Sequence, residues 1–215
     1  MPEKPKRIGL WGGSFNPPTT AHKALADFAF SEIHLDEMHW IVCPHNPEKD
    51  PATLAPFEDR FAMVKQVLSD RKNMYPNDIE HILGSSWTIN TVKALRKQYP
   101  DDDLFFMMGT DNWLGFHQWG GNFAEILDYV SLVIFNRPGD HDATTAEAGK
   151  ILANQKADNI AALKKSGRWY ILKNPLFDMS ATQARKALAD GQVPTQLAPE
   201  TITYIEQRQL YKKPL

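Results

Sequence analysis

The amino-acid sequence predicts an α/β fold, a doubly wound parallel sheet followed by a small C-terminal helical lobe. Apolar runs of strand length recur along the chain, and most are separated by segments whose apolar residues have helical spacing. This alternation is typical of a parallel sheet covered by helices. A chain of 215 residues is long enough to bury one substantial core. We therefore expect a single domain over residues 1–215, with the sheet at about 7–175 and the helical lobe at about 176–215.

Five apolar runs are the candidate strands, and one further run is ambiguous. The five lie at residues 8–11, 39–43, 104–108, 130–135 and 169–172. Residues 79–83 are a candidate for another strand, because a short apolar run cannot be assigned by periodicity alone.

Predicted helices lie between these strands and after the last one. The first begins near Thr20, and its apolar stripe consists of Ala24, Leu25, Phe28 and Ala29. The later helices are predicted at residues 57–68, 88–98, 122–127, 143–164, 181–190 and 199–209. Gly191 at a C-terminal cap position and Pro199 in a first turn indicate that the last two helices are structured. The polar stretch at 139–166 is the best candidate for an insertion.

Composition and charge narrow the class of protein. The chain is 42% hydrophobic and 23% charged, which is ordinary for a soluble globular protein. Its formal net charge of −2 gives no overall positive field that would attract nucleic acid or anionic lipid. The apolar run at 8–11 is too short for a signal peptide or a membrane span. We expect a cytoplasmic enzyme or binding protein whose single cysteine, Cys43, is a small buried residue.

The stretch GGSFNPPTTAH, residues 12–22, follows the first predicted strand and has the composition of a phosphate-binding loop. In an open parallel sheet, ligands bind beyond the carboxyl ends of the strands, where the next helix presents unpaired N–H groups. The glycines permit close approach of the backbone to a ligand, and the prolines stiffen the loop. Thr19 or Thr20 can cap the helix, which leaves His22 in its first turn as a donor to phosphate. The alternative is a tight connection with a surface histidine.

A second stretch, MSATQAR at residues 179–185, has the features of an anion site at a helix start. Ser180 is a candidate N-cap, Thr182 adds a hydroxyl in the first turn, and Arg185 lies one turn further on the same face. N–H groups, hydroxyls and a guanidinium would converge on one anion. Alone, the same heptapeptide is equally consistent with a capped helix bearing a solvated arginine.

Two familiar phosphate loops are missing from the sequence. It contains no G-x-x-x-x-G-K-[ST] segment and no G-x-G-x-x-G after the first strand, which disfavours a P-loop NTPase and a dinucleotide-dependent dehydrogenase. Residues 12–22 instead resemble the G-G-[ST]-F-[DN]-P-x-[HT]-x-x-H motif of a nucleotidyltransferase superfamily, and residues 179–185 resemble its distal motif [IM]-S-x-T-x-x-R. This resemblance implies a Rossmann-like sheet.

Four further stretches resemble one branch, the nicotinate (or nicotinamide) mononucleotide adenylyltransferases. They are PHNPEK at 44–49, SWTINTV at 86–92, MGTDNW at 108–113 and FHQW at 116–119. The six motifs keep their order and approximate spacing. The resemblance implies adenylyl transfer from ATP to nicotinate mononucleotide, with pyrophosphate released.

The resemblance also implies site residues. His22 and Arg185 would be catalytic. The ATP site would comprise Gly13, Ser14, Phe15, Thr19, His22, Gly109, Asp111, Ser180, Thr182 and Arg185. The mononucleotide site would comprise Ser14, Phe15, Lys49, Trp87, Thr88 and Trp119, with Trp119 stacked on the pyridine ring and Trp113 left in the core. Mg²⁺ would arrive with ATP, since the histidines show no metal-ligand spacing.

Departures from the motifs leave alternatives open. Bacterial members usually have His and Gly where this chain has Thr19 and Ala21, and Gly120 stands where some members have an aromatic residue. One alternative is an enzyme that prefers nicotinamide mononucleotide or accepts both mononucleotides. Another is a phosphopantetheine adenylyltransferase or a cytidylyltransferase. A third is a weakened nucleotide-binding sensor, which would bind ATP without releasing pyrophosphate.

Overall fold

The computed structural model describes residues 4–45, 53–120, 122–136, 142–177 and 180–212. Within them lies one sheet of six strands, all paired in parallel, in the order β3-β2-β1-β4-β5-β6. The strands are β1 Arg7–Gly13, β2 Glu37–Val42, β3 Met74–Asn77, β4 Asp103–Gly109, β5 Ser131–Phe135 and β6 Trp169–Leu172. The predicted Rossmann-like doubly wound sheet is confirmed.

The strand order reverses between β1 and β4. The chain moves outward in one direction from β1 to β3, returns to the centre at β4, and then continues outward in the other direction. Connections on either side of this point lie on opposite faces of the sheet, so a crevice opens at the carboxyl ends of β1 and β4. Trp11 of β1 pairs with Met107 of β4, so both strands end at the same edge.

Nine α-helices are present in the described residues. They are α1 Thr20–Glu32, α2 Phe57–Val67, α3 Ile79–Leu83, α4 Thr88–Gln98, α5 Thr110–Gly115, α6 Ile126–Tyr129, α7 Glu147–Ile151, α8 Ala181–Ala189 and α9 Pro199–Arg208. The predictions for α2, α4, α8 and α9 are confirmed within one residue at each end, and the predicted start of α1 near Thr20 is confirmed. In α1 the buried residues are His22, Leu25, Ala26 and Ala29.

Helices cover both faces of the sheet because successive strand residues point in opposite directions. Phe105 and Phe106 of β4 show this alternation. Phe105 packs in a core cluster with Leu25 of α1, whereas Phe106 packs in a second cluster with Val92 of α4. Trp113 of α5 is fully buried in the second cluster, as predicted.

The prediction of a strand at 79–83 is wrong, because these residues form α3. This helix ends at Gly84, whose φ of 60° is left-handed and caps the C-terminus. The strand in this part of the chain is β3, which sequence analysis missed because it contains Pro76. Proline is tolerated there since β3 is an edge strand.

The prediction of one helix over 143–164 is also wrong. Only α7 and three short 3₁₀ turns form there, at Ala143–Thr145, Ala153–Gln155 and Ile160–Ala162. Backbone carbonyls that a helix would use accept hydrogen bonds from buried indoles instead. Trp113 Nε1 donates to Ala143 O at 3.0 Å, and Trp169 Nε1 donates to Leu152 O at 2.7 Å. The predicted helix at 122–127 is partly right, since a 3₁₀ turn at Phe123–Glu125 leads into α6.

The last two helices pack on α2. A small cluster joins Met63 of α2 to Ala184, Leu197 and Ile205 of the C-terminal segment. Buried Asp59 of α2 accepts hydrogen bonds of 2.9 Å each from the Tyr204 hydroxyl and Arg208 Nε. The lobe therefore lies beside the crevice. Across the described ranges, no helix is long and apolar enough to cross a membrane.

Candidate active site

The side chain of Asn16 anchors the loop between β1 and α1 to residues outside that loop. Asn16 Nδ2 donates to Thr53 O at 2.7 Å, and its Oδ1 accepts from Ala55 N at 3.0 Å and from the Tyr211 hydroxyl at 2.8 Å. The Asn16–Pro17 peptide bond is cis. Because the amide side chain is fully engaged with protein groups, its role in the loop is to fix the backbone.

Phe15 turns away from the crevice. Its φ of 44° is left-handed, and its ring stacks on Trp40 with centroids 4.9 Å apart in the core beneath α1. The Phe15 side chain is therefore a packing element. The role predicted for Phe15 in both nucleotide sites is a contact of its backbone N–H, and the buried ring is compatible with that prediction.

Arg60 of α2 is a residue that the motifs did not identify. Its guanidinium donates to four backbone carbonyls, those of Ala55 (2.9 Å), Ser14 (2.8 Å), Cys43 (2.7 Å) and Pro44 (2.9 Å). The side chain is only 1% exposed, and burial lowers its pKa. Arg60 thereby joins the loops that follow β1 and β2. The signal in the sequence is its position one turn before the apolar pair at 63–64, which predicts the buried face of α2.

His22 has one ring nitrogen committed to the protein. Its Nδ1 accepts a hydrogen bond of 3.0 Å from the Thr19 backbone N–H and lies 2.6 Å from the Thr19 hydroxyl. Thr19 is the N-cap of α1, and its hydroxyl accepts from His22 N at 3.3 Å. An Nδ1 that accepts from an amide cannot carry the proton, so in the neutral imidazole the proton is on Nε2. Nε2 is therefore a donor.

The distal motif meets this loop in space. Arg185 Nη1 donates to Asn16 O at 2.7 Å, and Nη2 donates to the Thr182 hydroxyl at 3.1 Å. Ser180 is the N-cap of α8 and accepts from Gln183 N at 3.2 Å, as predicted. Met179, the first residue of the motif, lies outside the described residues. The guanidinium, the hydroxyls and the start of α8 thus adjoin the β1–α1 loop.

Gly109 and Asp111 lie at the end of the neighbouring strand. Gly109 is the last residue of β4 and the N-cap of α5, and Asp111 is exposed in the first turn of that helix. The Thr110 hydroxyl donates to Phe135 O at 3.1 Å, which ties the start of α5 to β5. The point between β1 and β4 at which the strand order reverses, the switch point of the sheet, consequently has the β1–α1 loop on one side and the start of α5 on the other.

A cavity of about 540 Å³ opens at the same edge of the sheet, on the face covered by α4. Four of the residues predicted for the mononucleotide line it, namely Ser14, Trp87, Thr88 and Trp119. Lys49, also predicted for this site, lies outside the described residues.

Most of the predicted ATP residues lie outside the cavity wall. His22 contacts Trp11 and Trp40, at centroid distances of 5.7 Å and 6.5 Å, which belong to the core on the opposite face of the sheet. Asp111, Thr182 and Arg185 are likewise absent from the cavity wall. Gly13 and Ser14 line the cavity and begin the loop, so the cavity and the loop meet at these residues.

Two tryptophans stand at the cavity. Trp119 is half-buried and packs edge-on against Phe116, with centroids 5.2 Å apart. Trp87 is 58% exposed, and its ring lies over Gly120, where an added Cβ would come within 3.1 Å of it. The Trp87 indole therefore covers the place that an aromatic residue at 120 would need.

No cluster of three or more His, Cys, Asp or Glu side chains suited to a metal ion occurs among the described residues. The fit of a protein-held metal centre to these residues is accordingly poor, whereas a cation that is bound by nucleotide phosphates needs no such cluster.

Comparison with known proteins yields a consistent set of similarities. The Cytidylyltransferase-like family matches residues 10–187. A probable nicotinate-nucleotide adenylyltransferase of Agrobacterium fabrum is 32% identical over 183 residues, covering 83% of this chain and 97% of that protein. A protein of the same description from Aeromonas hydrophila is 33% identical over 209 residues, covering 95% of this chain and 97% of its own.

A solved structure is similar in fold. It is the Plasmodium falciparum nicotinic acid mononucleotide adenylyltransferase complexed with NaAD, which superposes with a TM-score of 0.72 at 21% identity. The match covers 96% of this chain and 97% of that one. At this level of identity the likeness bears on the fold alone.

Proposed function

The chain belongs to the nicotinate-nucleotide adenylyltransferase family, and we propose that it transfers the adenylyl group of ATP to nicotinate mononucleotide in NAD biosynthesis. The products would be nicotinate adenine dinucleotide and pyrophosphate. The observation that carries the proposal is the contact between the two distant motifs, in which Arg185 binds the Asn16 carbonyl at 2.7 Å. This contact brings the Arg185 guanidinium and the start of α8 to the β1–α1 loop, which has the composition of a phosphate-binding loop.

The two substrates would bind on the two sides of that loop. The mononucleotide would occupy the cavity, with its pyridine ring near Trp87 and Trp119 and its phosphate at Gly13 and Ser14. ATP would bind across the loop, toward His22 and Arg185. Their phosphates would then meet at the loop, which lowers the entropic cost of the reaction.

The chemistry needs no nucleophile from the protein. A phosphate oxygen of the mononucleotide, ionised at neutral pH, would attack the α-phosphorus of ATP. A new phosphorus–oxygen bond forms as the bond between the α-phosphorus and the bridging oxygen breaks, and pyrophosphate leaves with that oxygen. The protein would align the phosphates and stabilise the charge that develops.

His22 is suited to the transferring phosphoryl group. Since Nδ1 accepts from the Thr19 amide, the Nε2 proton would be directed to an oxygen of the α-phosphate. Thr19 is 1% exposed with its hydroxyl 2.6 Å from Nδ1. Its main contribution would be to orient His22, which extends the ATP-binding role expected from the motif.

The remaining assignments concern the leaving group and the nucleoside. Arg185, with Ser180 and Thr182 at the start of α8, would bind the β- and γ-phosphates. Asp111, with Gly109 beside it, would accept hydrogen bonds from the ribose hydroxyls of ATP. Mg²⁺ would enter as part of the MgATP substrate, bound mostly by phosphate oxygens and water.

The decisive experiment is a direct assay of the purified protein. It is incubated with ATP, Mg²⁺ and either nicotinate or nicotinamide mononucleotide, and pyrophosphate and dinucleotide are quantified. We expect product with nicotinate mononucleotide at the higher kcat/KM. A higher kcat/KM with nicotinamide mononucleotide would reassign the substrate within the family. Absence of product with both, together with measurable ATP binding, would contradict the proposal in favour of a nucleotide sensor.

A further inference from the structure

One acidic side chain in the cavity wall is buried, and its chemistry is not used by the proposed mechanism. Glu80 of α3 is 5% exposed and lines the cavity together with Cys43 and Ser86. Its Oε1 accepts a hydrogen bond of 3.1 Å from the Thr91 hydroxyl of α4. Among the described residues no N–H or O–H group donates to its buried Oε2, and the group that faces the carboxyl there is the Cys43 thiol, a weak donor. A buried carboxyl oxygen that lacks a strong donor is costly unless a ligand interacts with it.

No cation of the described chain compensates Glu80. Lys93 also lines the cavity, but its ammonium is 2.6 Å from the Glu125 carboxylate at a solvent-exposed position. The guanidinium of Arg60 is occupied by four backbone carbonyls. Accordingly, burial raises the pKa of the Glu80 carboxyl. A positively charged group that entered the cavity would favour its ionised form.

Part of the cavity wall is aromatic. Trp87, Trp119, Phe106 and Phe123 all line the cavity. Aromatic faces attract organic cations through the ring quadrupole, and the attraction grows when the cation is desolvated. A buried carboxyl group and several aromatic rings that line one cavity are a combination suited to a flat organic cation.

We propose that Glu80 is a substrate-binding residue that supplies the counter-charge for a positively charged pyridine ring. This inference rests on the proposed function and extends it. The pyridine nitrogen of the mononucleotide is quaternised by its bond to ribose, so the ring carries a permanent positive charge. Glu80 therefore selects the oxidised pyridinium form of the mononucleotide over the reduced dihydropyridine form, which has the same substituents and a neutral ring.

The test compares two ligands and two proteins. Binding of nicotinate mononucleotide and of its 1,4-dihydro form is measured by calorimetry, without ATP, for the wild-type protein and for Glu80→Gln. We expect the wild type to bind the pyridinium form at least about tenfold more tightly, the effect of one favourable charge contact. In Glu80→Gln the affinity for the pyridinium form falls by at least about tenfold and the affinity for the dihydro form stays within about threefold.

The dihydro ligand also controls for folding, because unchanged binding of this form shows that the variant cavity is intact. Glu125→Gln is the matched charge control, since Glu125 lines the same cavity but is already paired with Lys93. If Glu125→Gln lost as much affinity for the pyridinium form as Glu80→Gln, the effect would come from the overall electrostatic potential of the cavity, and the role of Glu80 would be overturned. Equal wild-type affinity for both ring forms would overturn the inference alone. A wild type that binds neither form would contradict the proposed function as well.

Discussion

The Tyr211 hydroxyl donates a hydrogen bond of 2.8 Å to Oδ1 of Asn16, a residue 195 positions earlier in the chain. With the Arg185 contact to the Asn16 carbonyl, it makes the C-terminal lobe a second support of the β1–α1 loop. The loop that would receive both phosphates is thus positioned partly by α8 and by the residues after α9.

Replacing Tyr211 by Phe tests this support. The variant loses one partly buried hydrogen bond, while Asn16 Oδ1 keeps its bond from Ala55 N. We expect the free energy of unfolding to fall by about 1 kcal/mol, the usual net contribution of such a bond. The KM for ATP should rise a few-fold, because the loop is less well held. Urea unfolding and steady-state kinetics measure the two effects, and Tyr204→Phe, which alters only the Asp59 contact, is the comparison variant.

Replacing His22 by Ala removes the proposed donor to the transferring phosphoryl group. We expect kcat to fall by about 10²- to 10³-fold, the range for loss of one transition-state hydrogen bond. The free energy of unfolding should also fall, by about 1–3 kcal/mol, because His22 is buried and its Nδ1 accepts from the Thr19 amide. His34→Asn is the control, since His34 is exposed and its φ of 54° is one that asparagine tolerates. A decrease in kcat below about threefold would exclude His22 from the chemistry.

Replacing Thr19 by Val separates orientation of His22 from direct phosphate binding. Valine keeps the shape but removes the hydroxyl that lies 2.6 Å from His22 Nδ1 and caps α1. We expect a loss of about 1 kcal/mol in stability, as for other N-cap replacements. The value of kcat should fall and its pH dependence should shift while the KM for ATP stays constant, and Thr19→Ser should restore both. A change confined to KM would indicate a phosphate contact instead.

Replacing Arg60 by Met should destabilise the protein strongly. The substitution leaves four carbonyl groups without their donor in a site that is 1% exposed. We expect a loss of about 3–5 kcal/mol in the free energy of unfolding, measured in urea. Arg71→Met is the matched control, because Arg71 is only partly buried and contacts carboxylates near the surface. Losses of equal size in the two variants would contradict the role given to Arg60.

Cys43, which the sequence predicted to be buried, is only half-buried because it lines the cavity. Its thiol should nevertheless react slowly in the folded protein. Burial, foremost, and the nearby Glu80 carboxyl raise the pKa of its thiol to about 11. Because the shift is upward, the neutral thiol is favoured throughout the physiological range, and at pH 8 only about one molecule in a thousand carries the reactive thiolate. We expect slow modification by a disulfide reagent at pH 8 and rapid modification in urea. Equally fast labelling of the folded protein would contradict the raised pKa of this thiol.

The sequence by itself determined the helix bounds, the irregular loop and the helix cap that depend on residues close together in the chain. The run at 88–98 predicted α4 at both ends, and the glycines and prolines of residues 12–22 predicted an irregular loop between β1 and α1. Ser180 was recognisable as an N-cap because capping involves groups only three residues apart. Motif order further predicted the family, and the comparisons confirm it.

Tertiary contacts alone decided where several side chains point. The orientation of the Phe15 ring depends on Trp40. The helix predicted over 143–164 is broken where carbonyl groups accept hydrogen bonds from the indoles of Trp113 and Trp169. The hydrogen bonds that Arg60 donates go to carbonyl groups of two separate loops. The physical reason is that burial and hydrogen-bond partners are set by residues distant in the chain. The uncompensated carboxyl of Glu80 likewise exists only because α3, α4 and the end of β2 close around it.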